Sequence, residues 1–405
     1  MMKRIVVAAG LLFVTLAAGA LEIQRNENPI HADPPRMIRE IEHGRRGIVG
    51  AGEDAVLVVH VWGTPREMSY AAGRLLKEEI ESCATSVLEK MKEEIGGDLA
   101  VLDQVYETAK PFIPPHFLEE MAGFAEGAEL DPQTIIRLNL VGEASEWHCS
   151  LFGAWGAATA STGSLLQLRA LDYAVRAGIQ RHPVIMVYHP NEGHAFANFT
   201  WAGMAGSVTG MSSVPLAISE IGDDYDQAND SFAGVPFTFL LRDILQFDNS
   251  LEEALARVQK GPRTTSLMYA IGDGKKGEAR ALQTSRTLCN VYDPDTLEPL
   301  VPTHPRIKDI VYWGMSWNVP AFDKPLHDML VKHYGNLTPE ITLREILPTV
   351  GTGNLQVAIY DLTRQMAWLA NAKADGETGP LNAYERAYIQ LDMKQLFAVE
   401  APKGR

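Results

Sequence analysis

The chain has 405 residues, of which 46% are hydrophobic and 21% charged, enough apolar material for a large core. Its net charge of −15 argues against nucleic acid as a partner, because phosphates would be repelled. The same charge disfavours tight electrostatic binding to anionic membranes.

At the N-terminus, Lys3 and Arg4 precede the apolar run from Ile5 to Ala18, and Ala18-Gly19-Ala20 has the small residues of a cleavage site. This is the layout of a signal peptide over residues 1–20, and it predicts a secreted or lysosomal protein. The run is short of the roughly 20 apolar residues that a spanning helix needs. No later stretch is long and apolar enough, so no transmembrane segment is expected. Export permits disulfides. With Cys149 set aside as a candidate reactive thiol, Cys83 and Cys289 either pair or remain buried free thiols. Sequons at Asn198, Asn229 and Asn336 offer glycan sites.

Residues Leu21 to about Gly52 are polar and rich in proline and glycine, and read as an extended lead-in. Ala55 to Trp62 is valine-rich and reads as a strand. From Met68 to Met91, apolar residues recur at three- and four-residue steps, predicting one helix that Gly96-Gly97 stops. Helices follow at Ala100 to Thr108 and Phe117 to Ala125. A fourth starts with Asp131 as N-cap and Pro132 in the first turn, and runs to about Glu146. The pattern then changes. Gly153 to Ala160 and Leu165 to Leu171 read as strands joined by the turn Ser161 to Ser164. Further strands are expected at Val184 to His189, His194 to Trp201 and Leu216 to Ile221. Pro236 to Phe247 reads as a helix, and Ser250 with Glu253 forms a capping-box pattern for another through Gln259. Strands resume at Leu267 to Gly272, Ala279 to Ser285, Leu355 to Tyr360 and Met366 to Leu369. This order predicts an α+β fold, an antiparallel two-layer sheet covered by helices.

Cys149 stands where the predicted helices end and the strands begin. A thiol attacks carbonyl carbon as thiolate, so it needs a lowered pKa or a base. Arg169 is a nearby cation. Cleavage of the bond before Cys149 would free its α-amine, whose ordinary pKa of about 7.7–8.0 suits general-base work. Asp172 is placed to hold that amine. The plainer alternative is a buried cysteine beside an Arg169–Asp172 ion pair. A metal centre is a poorer reading. His182, His189 and His194 lie in strand-like or turn segments, without the helical spacing of zinc proteases. No cofactor is called for.

The string Cys149-Ser150…Ala154-Trp155-Gly156…Thr159-Ala160…Leu168-Arg169-Ala170-Leu171-Asp172-Tyr173 resembles the nucleophile region of the N-terminal-nucleophile (Ntn) hydrolases. It is similar to the cysteine branch that holds isopenicillin N acyltransferase, acid ceramidase and bile-salt hydrolases. Phe117 to Ala128, Thr209 to Ser213, Ile218 to Gly222 and Pro236 to Leu241 extend the resemblance, and Thr352 to Asp361 looks closest to an acid-ceramidase-like branch. The resemblance implies a four-layer αββα sandwich of two antiparallel sheets flanked by helices. It implies a largely helical 21–148 α-chain and a catalytic 149–405 β-chain, made by self-cleavage and remaining partners of one another.

By the same resemblance Cys149 is the nucleophile, Arg169 orients thiol and carbonyl, and Asp172 binds the α-amine. Glu220 falls where related members carry a glutamate near the cleavage site. The family's oxyanion asparagine has two candidates, Asn290 and Asn318. Ala170 and Ser212 depart from residues common in the family. The implied activity is hydrolysis of a linear amide, an N-acyl lipid, through a Cys149 thioester. The alternatives are an acyltransferase on the same fold and a non-catalytic binding protein that has kept it.

Overall fold

The structure, a computed structural model, describes residues 21–144, 148–175, 178–223, 225–296, 305–314 and 322–402. The predicted signal peptide and Asn318 lie outside the described residues.

The lead-in is not loose chain. It holds β1 (Ile30–His31) and a hairpin of β2 (Arg36–Ile41) and β3 (Gly44–Val49). The hairpin turns through Glu42 and His43, with His43 in the left-handed region at φ 59. Its turn lacks the Asn-Gly signature that announces such hairpins, so the pattern was silent. β4 (Val56–Gly63) follows. The Thr64 side chain then accepts from the Glu67 amide while Glu67 accepts from the Thr64 amide, a capping box that starts α1 (Pro65–Leu75).

The long predicted helix is two, because α1 stops and α2 (Lys77–Glu94) begins after Leu76. The Leu75 carbonyl accepts from the Arg46 guanidinium at 2.6 Å, a bond outside the helical ladder. α3 (Ala100–Ala109), α4 (Pro115–Ala128) and α5 (Pro132–Ala144) complete the helical run. α1 and α4 pack backbone to backbone. A Cβ on Gly127 would lie 2.3 Å from the Tyr70 carbonyl oxygen, so only glycine fits there.

The chain then forms β5 (His148–Ala154) and β6 (Leu166–Asp172), an antiparallel pair. Cys149 therefore lies inside the first of these strands, not ahead of it, and Gly156–Thr159 is a 3₁₀ turn. Next come β7 (Pro183–Pro190), β8 (Phe196–Trp201), β9 (Thr209–Ser212) and β10 (Leu216–Gly222). Helices α6 (Phe237–Phe247) and α7 (Leu251–Lys260) follow. After them lie β11 (Leu267–Asp273), β12 (Glu278–Thr284), β13 (Cys289–Tyr292) and β14 (Ile310–Trp313). The chain closes with α8 (Asp323–Lys332), a helical run over 339–350, β15 (Gln356–Asp361), β16 (Met366–Asn371), β17 (Tyr388–Asp392) and a short helix, Met393–Phe397.

These strands make two stacked sheets. One has seven strands in the order β1-β17-β16-β15-β6-β5-β14; the other has ten, in the order β13-β12-β11-β10-β9-β8-β7-β4-β3-β2. They are mixed rather than wholly antiparallel, because β1 joins β17 and β4 joins β7 in parallel. β5 and β6 pack on β10, β11 and β12. A Cβ on Gly153 would lie 2.7 Å from the Ala279 Cβ, which marks how closely the sheets approach. α1, α6 and α7 cover the outer face of the ten-stranded sheet, and α8 with the 339–350 run covers the seven-stranded one. This is the αββα sandwich. Strands from 21–148 enter both sheets, so that segment is part of the core as well as helical.

A second buried contact ties the same segment to the rest. Arg242 on α6 makes two hydrogen bonds of 2.6 Å to the Glu120 carboxylate on α4. The rings of Phe117, Tyr188 and Phe196 surround its guanidinium at 4.7–5.0 Å. Glu120→Ala would leave that charge buried without its carboxylate. The expected cost is about 3–5 kcal/mol, read from the urea midpoint of the intact chain.

Two expectations are corrected. Cys83 and Cys289 are both free. Cys83 is on α2, which packs against α4, α5 and the turn Ile179–Arg181 leading into β7. Cys289 is on β13, six strands from β7. At about 4.8 Å per step this far exceeds the roughly 5.5–6 Å that a disulfide spans. Asn198 is no glycan site in the folded chain, for it is buried in β8 and donates to the Gly206 carbonyl at 2.8 Å. Thiol titration without reductant should count all three cysteines in denaturant. In the folded chain half-buried Cys289 should react first, and a missing pair of thiols would refute the free state.

Candidate active site

Cys149 and Arg169 share one face of the β5–β6 pair, since Cys149 opposes Leu171 and Arg169 opposes Leu151. That face meets the ten-stranded sheet. Cys149 is wholly buried and receives a hydrogen bond from the Asp172 backbone amide. Burial pushes its thiol well above the ordinary range; the Arg169 charge opposes this, and Glu220 and Asp172 add to it. Burial thus favours the protonated sulfur, and a nucleophilic role would call for a base.

Arg169 is also fully buried. It leaves its own sheet and meets Glu220 on β10. Nε donates to the Glu220 carbonyl at 3.2 Å and Nη2 to its carboxylate at 3.1 Å. The pairing of β9 with β10 spans Ala217 to Ser219 and stops there. One residue on, Glu220 pairs with Tyr269 of β11, and its carbonyl accepts from the Arg169 guanidinium. On the same face of β6, Gln167 donates to Ser219 Oγ at 2.9 Å, a second polar tie between the sheets.

Asp172 lies three residues beyond Arg169 and so on the opposite face of β6. It is directly opposite His148 in the strand register, beside the bond that self-cleavage would break. Its carboxylate accepts from Thr352 Oγ1 at 2.6 Å and from the amides of Gly353 and Asn354 at 2.9 Å. Burial raises the Asp172 carboxyl to about 6, while these donors and Arg169 pull it down. Thr352, Gly353 and Asn354 are the residues to which sequence reading assigned no role. A glycine and an asparagine before a strand signal a turn, but nothing in the chain links that turn to an aspartate 180 residues earlier.

The structure thus brings Cys149, Arg169, Asp172 and Glu220 together. Asn290 is not hydrogen-bonded to any of these four among the described residues, but the register shows where it faces. Ala279 faces Gly153 across the sheets, so Ala281 and Gln283 face inward too. Tyr292 pairs with Ala281 and Asn290 with Gln283. Tyr292 touches Trp313, whose strand neighbour is Leu151. One pleat further, Asn290 lies on the inner face toward the Cys149 end of β5. The three histidines weighed as metal ligands are not gathered. His189 stacks on Trp62 and meets His60 at 3.2 Å, and no metal-binding cluster occurs among the described residues.

Protein dcd1A of Dictyostelium discoideum is 31% identical over 413 residues, covering 92% of each chain. Protein dcd1B of the same organism is 31% identical over 411 residues, covering 92% of this chain and 81% of that one. This chain belongs to their family. In sequence it is also similar to an amidase of the Ntn hydrolase superfamily. The mouse N-acylethanolamine-hydrolyzing acid amidase is 25% identical over 196 residues, 46% of this chain and 52% of the amidase, so the match spans about half of that relative. No family model matches the chain.

In this family member the Arg169–Glu220 pair bears on stability as well as on the thiol. Arg169→Met would leave Glu220 buried beside an uncharged chain. Chemical unfolding should show a loss of about 3–5 kcal/mol, and a loss below about 1 kcal/mol would mean the pair is dispensable.

Proposed function

We propose that this protein is a self-processed amidase of the secretory or lysosomal pathway, cleaving a linear N-acyl lipid amide through a thioester on Cys149. The observation that carries this is the convergence of a buried Cys149 with Arg169 on one face of β5–β6 and Asp172 opposite His148. The amidase relative supports the reaction class.

In the precursor the Cys149 nitrogen is a peptide amide and cannot serve as base. The sulfur first attacks the His148 carbonyl. An S–C bond forms, the C–N bond breaks, and the thiol proton passes to the departing nitrogen. Water hydrolyses this thioester, leaving a carboxylate on His148 and a free α-amine on Cys149.

In turnover that amine takes the thiol proton, and the thiolate attacks the substrate carbonyl. Arg169 steadies the negative sulfur. Asp172 holds the ammonium in line, and Asn290 is the candidate to donate to the oxyanion. The amine leaves with the ammonium proton. Water, deprotonated by the α-amine, then releases the acid and restores the thiol.

The test is direct. On a reducing denaturing gel the mature protein should run as two fragments, the larger beginning at Cys149. Cys149→Ala should remain one chain and lose all hydrolysis of N-acyl amides. Fragments or turnover that survive in this variant would refute the reading.

A further inference from the structure

We infer that the turn Thr352-Gly353-Asn354 is a positioning element for Asp172, aiming its carboxylate at the new N-terminus and keeping it charged. This rests on the reading above that Cys149 gains a free α-amine.

The turn supplies three donors to one buried carboxylate. Thr352 Oγ1 reaches Oδ2, the Gly353 amide reaches both oxygens, and the Asn354 amide reaches Oδ1. A carboxylate has about four acceptor positions. The three donors make four contacts with its two oxygens, the Gly353 proton being shared between them, and the strand register puts Asp172 opposite the 148–149 junction. An α-ammonium at Cys149 is the group that junction would present.

The turn is itself rigidly built. Gly353 has φ +90, and a Cβ there would lie 2.5 Å from Val357 Cγ2. Asn354 Oδ1 accepts from the Tyr173 amide at 2.9 Å, binding the turn to the residue after Asp172. The Ala383 and Tyr384 amides donate to the carbonyls of Asn354 and Gly353.

Thr352 is wholly buried, and its hydroxyl proton is committed to Asp172. Its 2.8 Å contact with Ser150 Oγ must therefore be donated by Ser150. Ser150, beside the nucleophile, thus polarises the hydroxyl that holds Asp172. The other titratable groups that interact electrostatically with Asp172 are Arg169 on its own strand and Cys149 on β5, both on the other face, and Tyr384 from the turn Ala383–Glu385.

The sign follows from the bond. The Thr352 hydroxyl favours the ionised carboxylate, so its loss moves Asp172 ionisation to higher pH. In cleaved Thr352→Val enzyme the acid limb of kcat/KM should shift upward by about one to two pH units, the size expected for a hydrogen bond to a charged group. Thr352→Ser, which keeps the hydroxyl, should restore the original limb. A merely structural threonine would lower activity equally at every pH and leave the limb in place, and that result overturns the inference. If Thr352→Val yields no folded, cleaved enzyme, Ser150→Ala carries the test: the same limb should move the same way by a smaller amount, and an unmoved limb overturns the inference. Cys149→Ala, assayed in parallel, separates the two claims. Activity that survives in it refutes the proposed function and this inference with it. Activity lost in it, with an unmoved limb in the Thr352 or Ser150 variant, refutes the positioning role alone.

Discussion

The two hydrogen bonds that Arg169 makes both end on Glu220, in the other sheet. A guanidinium removed from water is costly unless its charge and its donors are matched. Here the Glu220 carboxylate and carbonyl match the charge and two of the donors, Nε and Nη2, and leave Nη1 without a hydrogen bond among the described residues. The site therefore depends on how the sheets are stacked, because a shift of either would strand both charges. Gly153 against Ala279 and Gln167 on Ser219 hold the same stacking at neighbouring positions.

Arg169 and Asp172 serve different faces of one strand. An odd spacing along β6 sends the arginine toward the nucleophile's side and the aspartate toward the 352–354 turn. The sulfur thus has a cation on its own side, and the backbone around the junction has an anion on the other. A strand can do this within four residues because its side chains alternate. A helix would have put both groups on one face.

The segment before Cys149 is woven into this arrangement. β4 pairs in parallel with β7, β1 closes an edge of the other sheet, and Glu120 binds Arg242 among three aromatic rings. Parallel pairing of β4 and β7 requires the chain to leave the large sheet, run through five helices, form β5–β6 and return. That path delivers Cys149 from the helical layer into the interior.

Elements with a strong local pattern were legible in the sequence: the valine run of β4, the amphipathic helices, and the apolar runs of β6, β10 and β11, which are buried on both faces. So was the spacing of Cys149, Arg169 and Asp172, since strand period and side-chain chemistry are local properties. Elements held by partners far along the chain were not. The β2–β3 hairpin has few apolar residues, and the break at Leu76 arises from a carbonyl captured by Arg46. Resemblance put Glu220 near the cleavage site, but its partner Arg169 is found only when β6 is laid across β10. Thr352, Gly353 and Asn354 read as a plain turn until Asp172 is set among their donors. The pairing of Cys83 with Cys289 was open in one dimension and is closed in three, because Cys83 lies on α2 in the helical layer and Cys289 on the edge strand β13 of the ten-stranded sheet. Sequence alone determined which residues have the chemistry to act. The tertiary structure decided which of them meet, because sheet stacking and register join groups that covalent spacing leaves unrelated.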